Sequence, residues 1–193
     1  MPRRILVLVG HPDPAPERFC RALADAYAEG ALAAGHEVRR LDLGSLDIPP
    51  LRSREDWLHG DAPPDVAQVQ AGIEWCEHLV LLYPLWLGDV PAALKALLEQ
   101  ALRPGFAFEY AGKAEGRPRL KGRSARIVVT MGMPGFVYRA WFGAHSLRSL
   151  RRNILHFVGI RPVRSTVVGM VEGDAARRAG WLEKLRHLGG NAG

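Results

Sequence analysis

The chain has 193 residues, of which 48% are hydrophobic and 24% charged, and these proportions indicate one globular domain over residues 1–193. Two cysteines, Cys20 and Cys76, argue against a disulfide scaffold and predict a cytoplasmic protein, and no segment has the pattern of a signal peptide or membrane span. The net charge of +6 comes without a nucleic-acid-binding motif, so we expect no nucleic-acid partner.

Two strands, one helix and a long loop are predicted in the first 64 residues. The apolar run over 4–9 predicts a buried strand, and apolar residues at helical spacing predict a helix over 18–34 that Gly35 ends. Residues 37–43 alternate as a second strand does. Residues 46–64, rich in Pro and Asp, are predicted to be a loop, and a loop of that length is usually functional or packs on a partner.

Helices and strands alternate through the rest of the chain. In chain order we expect a helix over 65–77, a strand over 79–83, a helix over 89–102, an irregular excursion or hairpin over 104–123, a strand over 125–130, a helix over 139–158, a strand over 164–170 and a helix over 174–188 with Asp174 as its N-cap.

This alternation predicts an α/β fold with a five-stranded parallel sheet and helices on both faces. Five such strands permit a flavodoxin-like order, 2-1-3-4-5, whose switch point lies between the first and third strands. Ligands of open α/β sheets bind beyond the carboxyl ends of the strands near such a point. We therefore expect a ligand site formed by loop 1 (residues 10–20), loop 3 (84–89) and loop 4 (131–138).

Loop 1 lacks both G-x-G-x-x-G and a Walker A sequence, so a Rossmann or P-loop nucleotide site is not expected. It still ends at a helix N-terminus, where free backbone amides favour an anion. The amides near Arg18, Phe19 and Cys20, with the side chains of His11 and Arg18, predict a phosphate site. The alternative is that His11 caps the strand and the prolines only shape a turn.

Loops 3 and 4 carry flat apolar side chains and few charges. The backbone of Leu85, Trp86 and Leu87 can meet the polar edge of a planar ligand while Trp86 covers its face; the alternative is a core Trp at the sheet edge. In loop 4, Gly132 lets the backbone approach a ligand. Tyr138 and His145 add titratable groups to an aromatic cluster with Trp141 and Phe142, or serve in ordinary packing. The histidines lack metal-ligand spacing, so we expect no metal.

Six segments together resemble the flavodoxin-like NAD(P)H:quinone oxidoreductases, the DT-diaphorase group with its smaller bacterial relatives. The Pro-Leu-Trp and Pro-Gly-Phe-Ala-Phe pieces are the more specific ones. The segments are Ile5 to Pro12, Gly35 to Val38 with Asp42-Leu43, Tyr83 to Trp86, Val90 to Ala92 with Leu94-Lys95, Arg103 to Phe108, and Ile154 to Gly159.

The resemblance implies a homodimer that binds FAD or FMN and passes a hydride from NAD(P)H to a quinone or similar aromatic acceptor. It assigns His11, Arg18, Phe19 and Cys20 to the flavin phosphate; Pro84, Leu85, Trp86 and Leu87 to the isoalloxazine ring; Thr130, Gly132 and Met133 to a second ring-contacting loop; and Tyr138 and His145 to catalysis. Two departures stand out. Pro16-Glu17 lacks the family's phosphate-binding Ser or Thr. The Gly-Gly of some members is Gly132-Met133 here, and Pro134 stiffens that loop.

Two other functions stay open from the residues. Some relatives are ancillary subunits of potassium-efflux transporters, and the basic segment from Lys113 to Arg123 offers a surface for such a peripheral contact with a membrane protein. A one-electron carrier is the third alternative, but such carriers are acidic and the charge of +6 argues against it.

Overall fold

Five parallel strands form the central sheet of the computed structural model, which describes residues 1–111 and 114–193. They run in the order β2-β1-β3-β6-β7, so the predicted flavodoxin-like order is confirmed. The remaining two strands, β4 and β5, pair as an antiparallel hairpin. The strands are β1 (Arg4–Val9), β2 (Glu37–Asp42), β3 (His78–Pro84), β4 (Phe108–Ala111), β5 (Ala114–Pro118), β6 (Ser124–Thr130) and β7 (Val163–Val168).

Helices cover both faces of the sheet, because alternate side chains of the buried strands point to opposite sides. On one face, Ile5, Val7 and Val9 pack with α1 and α7. On the other face, Leu6 and Leu8 pack with the helices α3, α4 and α5. The helices are α1 (Phe19–Ala33), α2 (Arg54–His59), α3 (Pro64–Trp75), α4 (Ala92–Ala101), α5 (Gly135–Ala140), α6 (His145–Ser149) and α7 (Ala175–Gly190).

Helices α1 and α7 cross with their backbones in contact. A Cβ atom at Gly30 would overlap the carbonyl oxygen of Arg186, and a Cβ atom at Gly189 would overlap that of Tyr27. The two glycines therefore permit an approach that no larger residue allows. The N-cap predicted for α7 is confirmed, since the Asp174 carboxylate accepts a hydrogen bond from the Arg177 amide at 2.7 Å.

Two sequence-based predictions were wrong within otherwise correct regions. The loop predicted over 46–64 contains α2, whose N-terminus is capped by the Ser53 hydroxyl, which accepts from the Asp56 amide at 3.0 Å. The single helix predicted over 139–158 is broken. Gly143 and Ala144, with φ of 61° and 48°, separate α5 from α6, and a π-helical turn follows at Leu150–Leu155.

Two further segments differ less from their predictions. Helix α4 begins at Ala92 rather than Asp89, because Asp89 closes a tight turn in loop 3 and Pro91 is the N-cap. The stretch over 104–123 contains the β4–β5 hairpin, which agrees with the hairpin alternative. No helix of the part of the chain that the structure describes is long and apolar enough to cross a membrane.

Candidate functional site

Loops 1, 3 and 4 meet at one edge of the sheet because β1, β3 and β6 are parallel neighbours. The Gly10 amide donates to the Leu82 carbonyl at 2.6 Å, and the Leu85 amide donates to the Thr130 carbonyl at 2.8 Å. The rings of His11 and Trp86 are in edge-to-face contact, with centroids 5.8 Å apart. The structure therefore brings the loops together, and of the predicted side chains it places those of His11 and Trp86 in contact.

Asp13 organises loop 1. Its carboxylate accepts from the Ala15 amide at 2.9 Å and from the Arg18 Nε at 2.7 Å. The first of these bonds, followed by the Arg18 charge, lowers the pKa of Asp13. Arg18, predicted to bind phosphate with its side chain, therefore shares its charge with a carboxylate at the surface.

His11 is a neutral hydrogen-bonding group rather than a cation. Burial lowers its pKa, as do the charges of Arg18 and Arg21, while Asp13 acts in the opposite direction. Its Nδ1 accepts from the Asp13 amide at 3.1 Å, so the neutral ring carries its proton on Nε2. His11 can therefore donate one hydrogen bond within the site.

Two cations next to loop 1 were not predicted as site residues from the sequence. Arg21, in the first turn of α1, is 8% exposed and forms an ion pair with Asp42 at 3.3 Å. Its Nε is buried and has no partner among the described residues. Arg178 of α7 lies over the ring of Phe19, 4.7 Å from its centroid. Arg21 follows Arg18 by one helical turn, a signal that was available, whereas nothing local connects Arg178 to loop 1.

The Cys20 side chain offers no reactive thiol to the predicted site. The side chain is buried, and burial raises the pKa of its thiol to about 12. At neutral pH the thiol is therefore protonated and chemically inert. The amides at this end of α1 are the groups that match the predicted phosphate site, because the helix N-terminus carries partial positive charge.

Loop 3 presents side chains more than backbone groups. The Trp86 amide donates to the Asp89 carbonyl, and the Asp89 amide donates to the Trp86 carbonyl, each at 3.0 Å. Leu87 and Gly88 have φ of 47° and 80°, which makes this a type I′ turn. Two of the predicted ring-contacting amides, those of Leu85 and Trp86, are thus bonded inside the protein. Trp86 is 47% exposed and Leu87 fully exposed, so the loop offers an apolar wall.

Loop 4 has an accessible backbone at Gly132. A Cβ atom placed there would meet no atom within 4 Å, so a flat ligand can approach the peptide. On the other side, the Met133 carbonyl accepts from the Met170 amide at 3.1 Å, which fixes the loop to the segment after β7. Thr130 is buried and its hydroxyl donates to the Tyr83 carbonyl at 3.4 Å, so that side chain serves the sheet.

Tyr138 and His145 lie at adjoining ends of α5 and α6 but in different environments. Tyr138 is 2% exposed, and its hydroxyl is 2.8 Å from the Ser146 Oγ and accepts from the Leu147 amide at 3.2 Å. His145 is exposed at the first position of α6. Trp141 and Phe142 of the predicted aromatic cluster are also exposed. Tyr138 therefore connects the two helices, while His145 faces solvent.

Tyr83 was missed by the sequence analysis. It precedes loop 3 directly, and its buried hydroxyl has no hydrogen-bond partner among the described residues. Burial, with smaller contributions from Tyr138 and Asp89, raises its pKa far above the usual range. A buried hydroxyl without a partner among the described residues is unusual.

An apolar groove of about 500 Å³ lies beside α4. Its aromatic lining comes from separate elements: α2, the β4–β5 hairpin and the segment after the π-helical turn. Phe108 and Phe157 contact edge to face with centroids 4.9 Å apart. Trp57 and Tyr110 contact in the same way at 6.2 Å. Such an exposed apolar surface is typical of an interface or a ligand site.

Comparison with known proteins agrees with this geometry. A family model described as a flavodoxin-like fold matches residues 3–188. The FMN-dependent NAD(P)H:quinone oxidoreductase 1 of Pseudomonas aeruginosa is 39% identical over 150 residues, covering 67% of this chain and 70% of the relative. NAD(P)H dehydrogenase (quinone) 1 of Rattus norvegicus is 26% identical over 213 residues, covering 95% and 76%.

Among solved structures, the NAD(P)H:quinone oxidoreductase from Methanothermobacter marburgensis matches with a TM-score of 0.84 and 26% identity, covering 99% of this chain and 97% of that one. The match therefore extends over nearly the whole of both chains. The chain therefore belongs to the flavodoxin-like family, within its group of NAD(P)H:quinone oxidoreductases.

Proposed function

We propose that the chain binds FMN at loops 1, 3 and 4 and uses it to reduce quinones with NAD(P)H. One observation carries this proposal: an exposed Trp, an open glycine backbone and a helix N-terminus converge at one edge of the sheet. FMN rather than FAD is proposed because the Pseudomonas aeruginosa relative is named as FMN-dependent. The planar ring and the phosphate of FMN match the apolar and anion-binding halves of the site.

The phosphate half of the proposed site uses the amides at the start of α1. Glu17 and Pro16 supply no hydroxyl there, so the cations around the helix have a larger role. Arg21 is held by Asp42, and Arg178 stacks on Phe19, which keeps both close to the helix N-terminus. A dianion at this position gains from the helix dipole and from these charges together.

The ring half uses the Trp86 and Leu87 side chains on one side and the Gly132 and Met133 backbone on the other. A flavin held there would supply the redox chemistry for hydride transfer from NAD(P)H to a quinone. His11 donates a hydrogen bond from Nε2, and the amides of loop 4 stabilise developing negative charge. His145, exposed at the start of α6, is assigned the proton donor to the acceptor oxygen. Tyr138 is assigned to the same catalytic region.

A second copy of the chain is proposed to cover the aromatic groove of Trp57, Phe108, Tyr110 and Phe157, in keeping with the expected homodimer. We propose a cytoplasmic location because both thiols are free and buried. No observation favours the transporter-subunit alternative. Lys113 of the basic segment lies outside the described residues, and Arg123 donates to the carbonyls of Ile73 and Glu74, each at 2.8 Å.

The test is spectroscopic. The purified protein should be yellow, should release FMN on denaturation, and should bleach on anaerobic titration with NADPH and recover its colour when a quinone is added. Trp86→Ala should lower FMN affinity at least tenfold, because a stacked ring is lost. Leu32→Ala, an exposed change on α1, is the matched control. A colourless protein that neither FMN nor FAD reconstitutes would falsify the proposal.

A further inference from the structure

A second groove, of about 650 Å³, runs along the free edge of β7, between α5 and α7. We call it the basic groove. Its volume lies in the range of ordinary small-molecule sites. It is separate from the aromatic groove, with which it shares no lining residue. The side chains that shape it include Phe136 and Arg139 of α5, Ser165 of β7, and Arg177, Trp181 and Lys184 of α7.

The charged side chains among the described lining residues of the basic groove are all positive. Arg139, Arg177 and Lys184 line it, and no Asp or Glu is among its described lining residues. The nearest acids of α7 are already engaged: Asp174 caps the helix, and Glu183 pairs with Arg186 at 2.8 Å. These two acids therefore do not neutralise the cations of the groove, and the resulting positive charge favours an anionic ligand.

A buried cation at the inner wall strengthens this charge. Arg126 is 6% exposed, and its Nη1 donates to the Thr166 hydroxyl at 2.7 Å. Its Nε donates a hydrogen bond to the main-chain oxygen of Gly193. The positive charge of Arg126 at this wall adds to that of the groove and favours an anion there.

The basic groove also offers flat apolar surface beside the cations. Phe136 is 73% exposed at its upper end. Trp181 is half-buried, with the Lys184 ammonium 4.8 Å from its ring centroid. A ligand that combines a planar ring with phosphate fits this pairing of aromatic and cationic groups better than inorganic phosphate does.

The groove begins at loop 4. Gly135 and Phe136 belong both to the groove and to that loop, and a Cβ atom at Gly169 would clash with the Gly135 amide. From there the groove follows β7 from Gly169 to Ser165, roughly 13 Å at about 3.3 Å per residue. A ligand that starts in the proposed hydride pocket can thus extend its distal half along the edge strand.

We propose that the basic groove binds the adenosine 2′-phosphate half of NADPH and makes the enzyme prefer NADPH to NADH. The two coenzymes differ only by that phosphate, so cations placed along the path of the adenosine discriminate between them. The inference rests on the proposed function, because it takes the hydride pocket as the origin of the dinucleotide. Arg139, Arg177 and Lys184 are the specificity-determining residues.

Steady-state kinetics of the FMN-loaded protein test the preference. The wild-type kcat/KM should be at least tenfold higher for NADPH than for NADH. The triple variant Arg139→Gln, Arg177→Gln and Lys184→Gln should bring the two kcat/KM values within about twofold of each other. The change should come from a lower kcat/KM for NADPH, while the value for NADH stays the same. Arg152→Gln, an exposed arginine outside the groove, should keep the wild-type ratio. Equal use of both coenzymes by the wild type, or an equal loss for both in the variant, overturns the inference.

Calorimetry separates this inference from the proposed function. Adenosine 2′,5′-bisphosphate should bind the wild type at least tenfold more tightly than adenosine 5′-monophosphate, and the triple variant should lose that difference. If this holds while no nicotinamide coenzyme is oxidised, the groove is supported and the proposed function fails. If the reductase is active but the two nucleotides bind equally, the groove is overturned and the proposed function stands.

Discussion

Leu87 combines a strained backbone conformation with an exposed apolar side chain. Its φ of 47° is a left-handed conformation that a leucine adopts at a cost of about 1 kcal/mol. Its side chain is fully exposed and so gains nothing from packing in the isolated chain. A strained, exposed apolar residue beside the candidate site is best understood as a surface kept for a ligand or partner.

We expect Leu87→Asn to raise the free energy of unfolding by about 0.5–1 kcal/mol, because Asn tolerates the left-handed region. Gly88→Ala, at φ of 80° with no steric neighbour, should lower it by about 1 kcal/mol. Urea unfolding of both variants measures these opposite changes in the free energy of unfolding. If Leu87→Asn is destabilising, the strain account of this turn is wrong.

Tyr138 has two separable roles, one in stability and one in the proposed chemistry. Tyr138→Phe leaves the Leu147 amide without its acceptor, so we expect a loss of about 1–3 kcal/mol. We also expect it to slow flavin reduction in stopped-flow while flavin stays bound. Ser146→Ala removes the other partner, at 2.8 Å, but keeps the phenol. Equal reduction rates in Tyr138→Phe and wild type would remove Tyr138 from the catalytic residues.

At the scale of elements, the crossing of α1 and α7 is set by two glycines. Gly30→Ala and Gly189→Ala should each cost about 3 kcal/mol or more, because the added methyl group meets backbone that cannot rotate away. Gly180→Ala, also in α7, meets nothing within 4 Å and should stabilise by about 0.5–1 kcal/mol. Thermal unfolding of the three variants compares them. Similar effects at all three sites would contradict a close crossing.

Elements with strong periodicity could be predicted from the sequence, and weakly patterned ones could not. The strand over 4–9 and the helix over 18–34 match β1 and α1 closely, because buried runs and a helical stripe are local signals. Helix α2 has only six residues and buries none fully, so its single signal was Ser53 ahead of Glu55 and Asp56. The break after α5 had a local signal in Gly143, whereas the left-handed conformation of Ala144 had none.

The candidate site was predictable to the level of its loops, not of its side-chain partners. Strand order alone places loops 1, 3 and 4 together. Whether Arg18 is free or paired depends on Asp13, five residues earlier, and on a turn that only the fold defines. Arg178 reaches Phe19 because α7 packs on α1, a contact between distant parts of the chain.

At the scale of the whole molecule, one buried imidazole makes a large contribution to acid sensitivity. Burial, then the charges of Arg3 and Arg126, lower the pKa of His78 from 6.5 to about 3. The unfolded chain takes up the proton below pH 6.5 and the folded chain does not, so stability falls as the pH drops from about 6.5 towards 3. This group alone should remove about 2 kcal/mol between pH 7 and pH 5.

Urea unfolding at both pH values, on the wild type and on His78→Gln, measures this contribution. The variant loses the bond to Ser124, 2.8 Å long in the wild type, so it should be less stable at pH 7. Its stability should nevertheless fall less between pH 7 and pH 5. His59→Gln, an exposed histidine, should keep the wild-type slope. Identical slopes in the wild type and His78→Gln would exclude His78 as the cause.

The glycine crossing of α1 and α7 also bears on how the chain is made. Part of the apolar face of α1 is covered by α7, so it stays open until residues 175–190 have been synthesised. At about 5–20 residues per second, the stretch between the two helices takes on the order of 10 s to synthesise. During that interval the nascent chain exposes the apolar surface that α7 later covers, and its yield in cells should depend on chaperones more than its folded stability suggests.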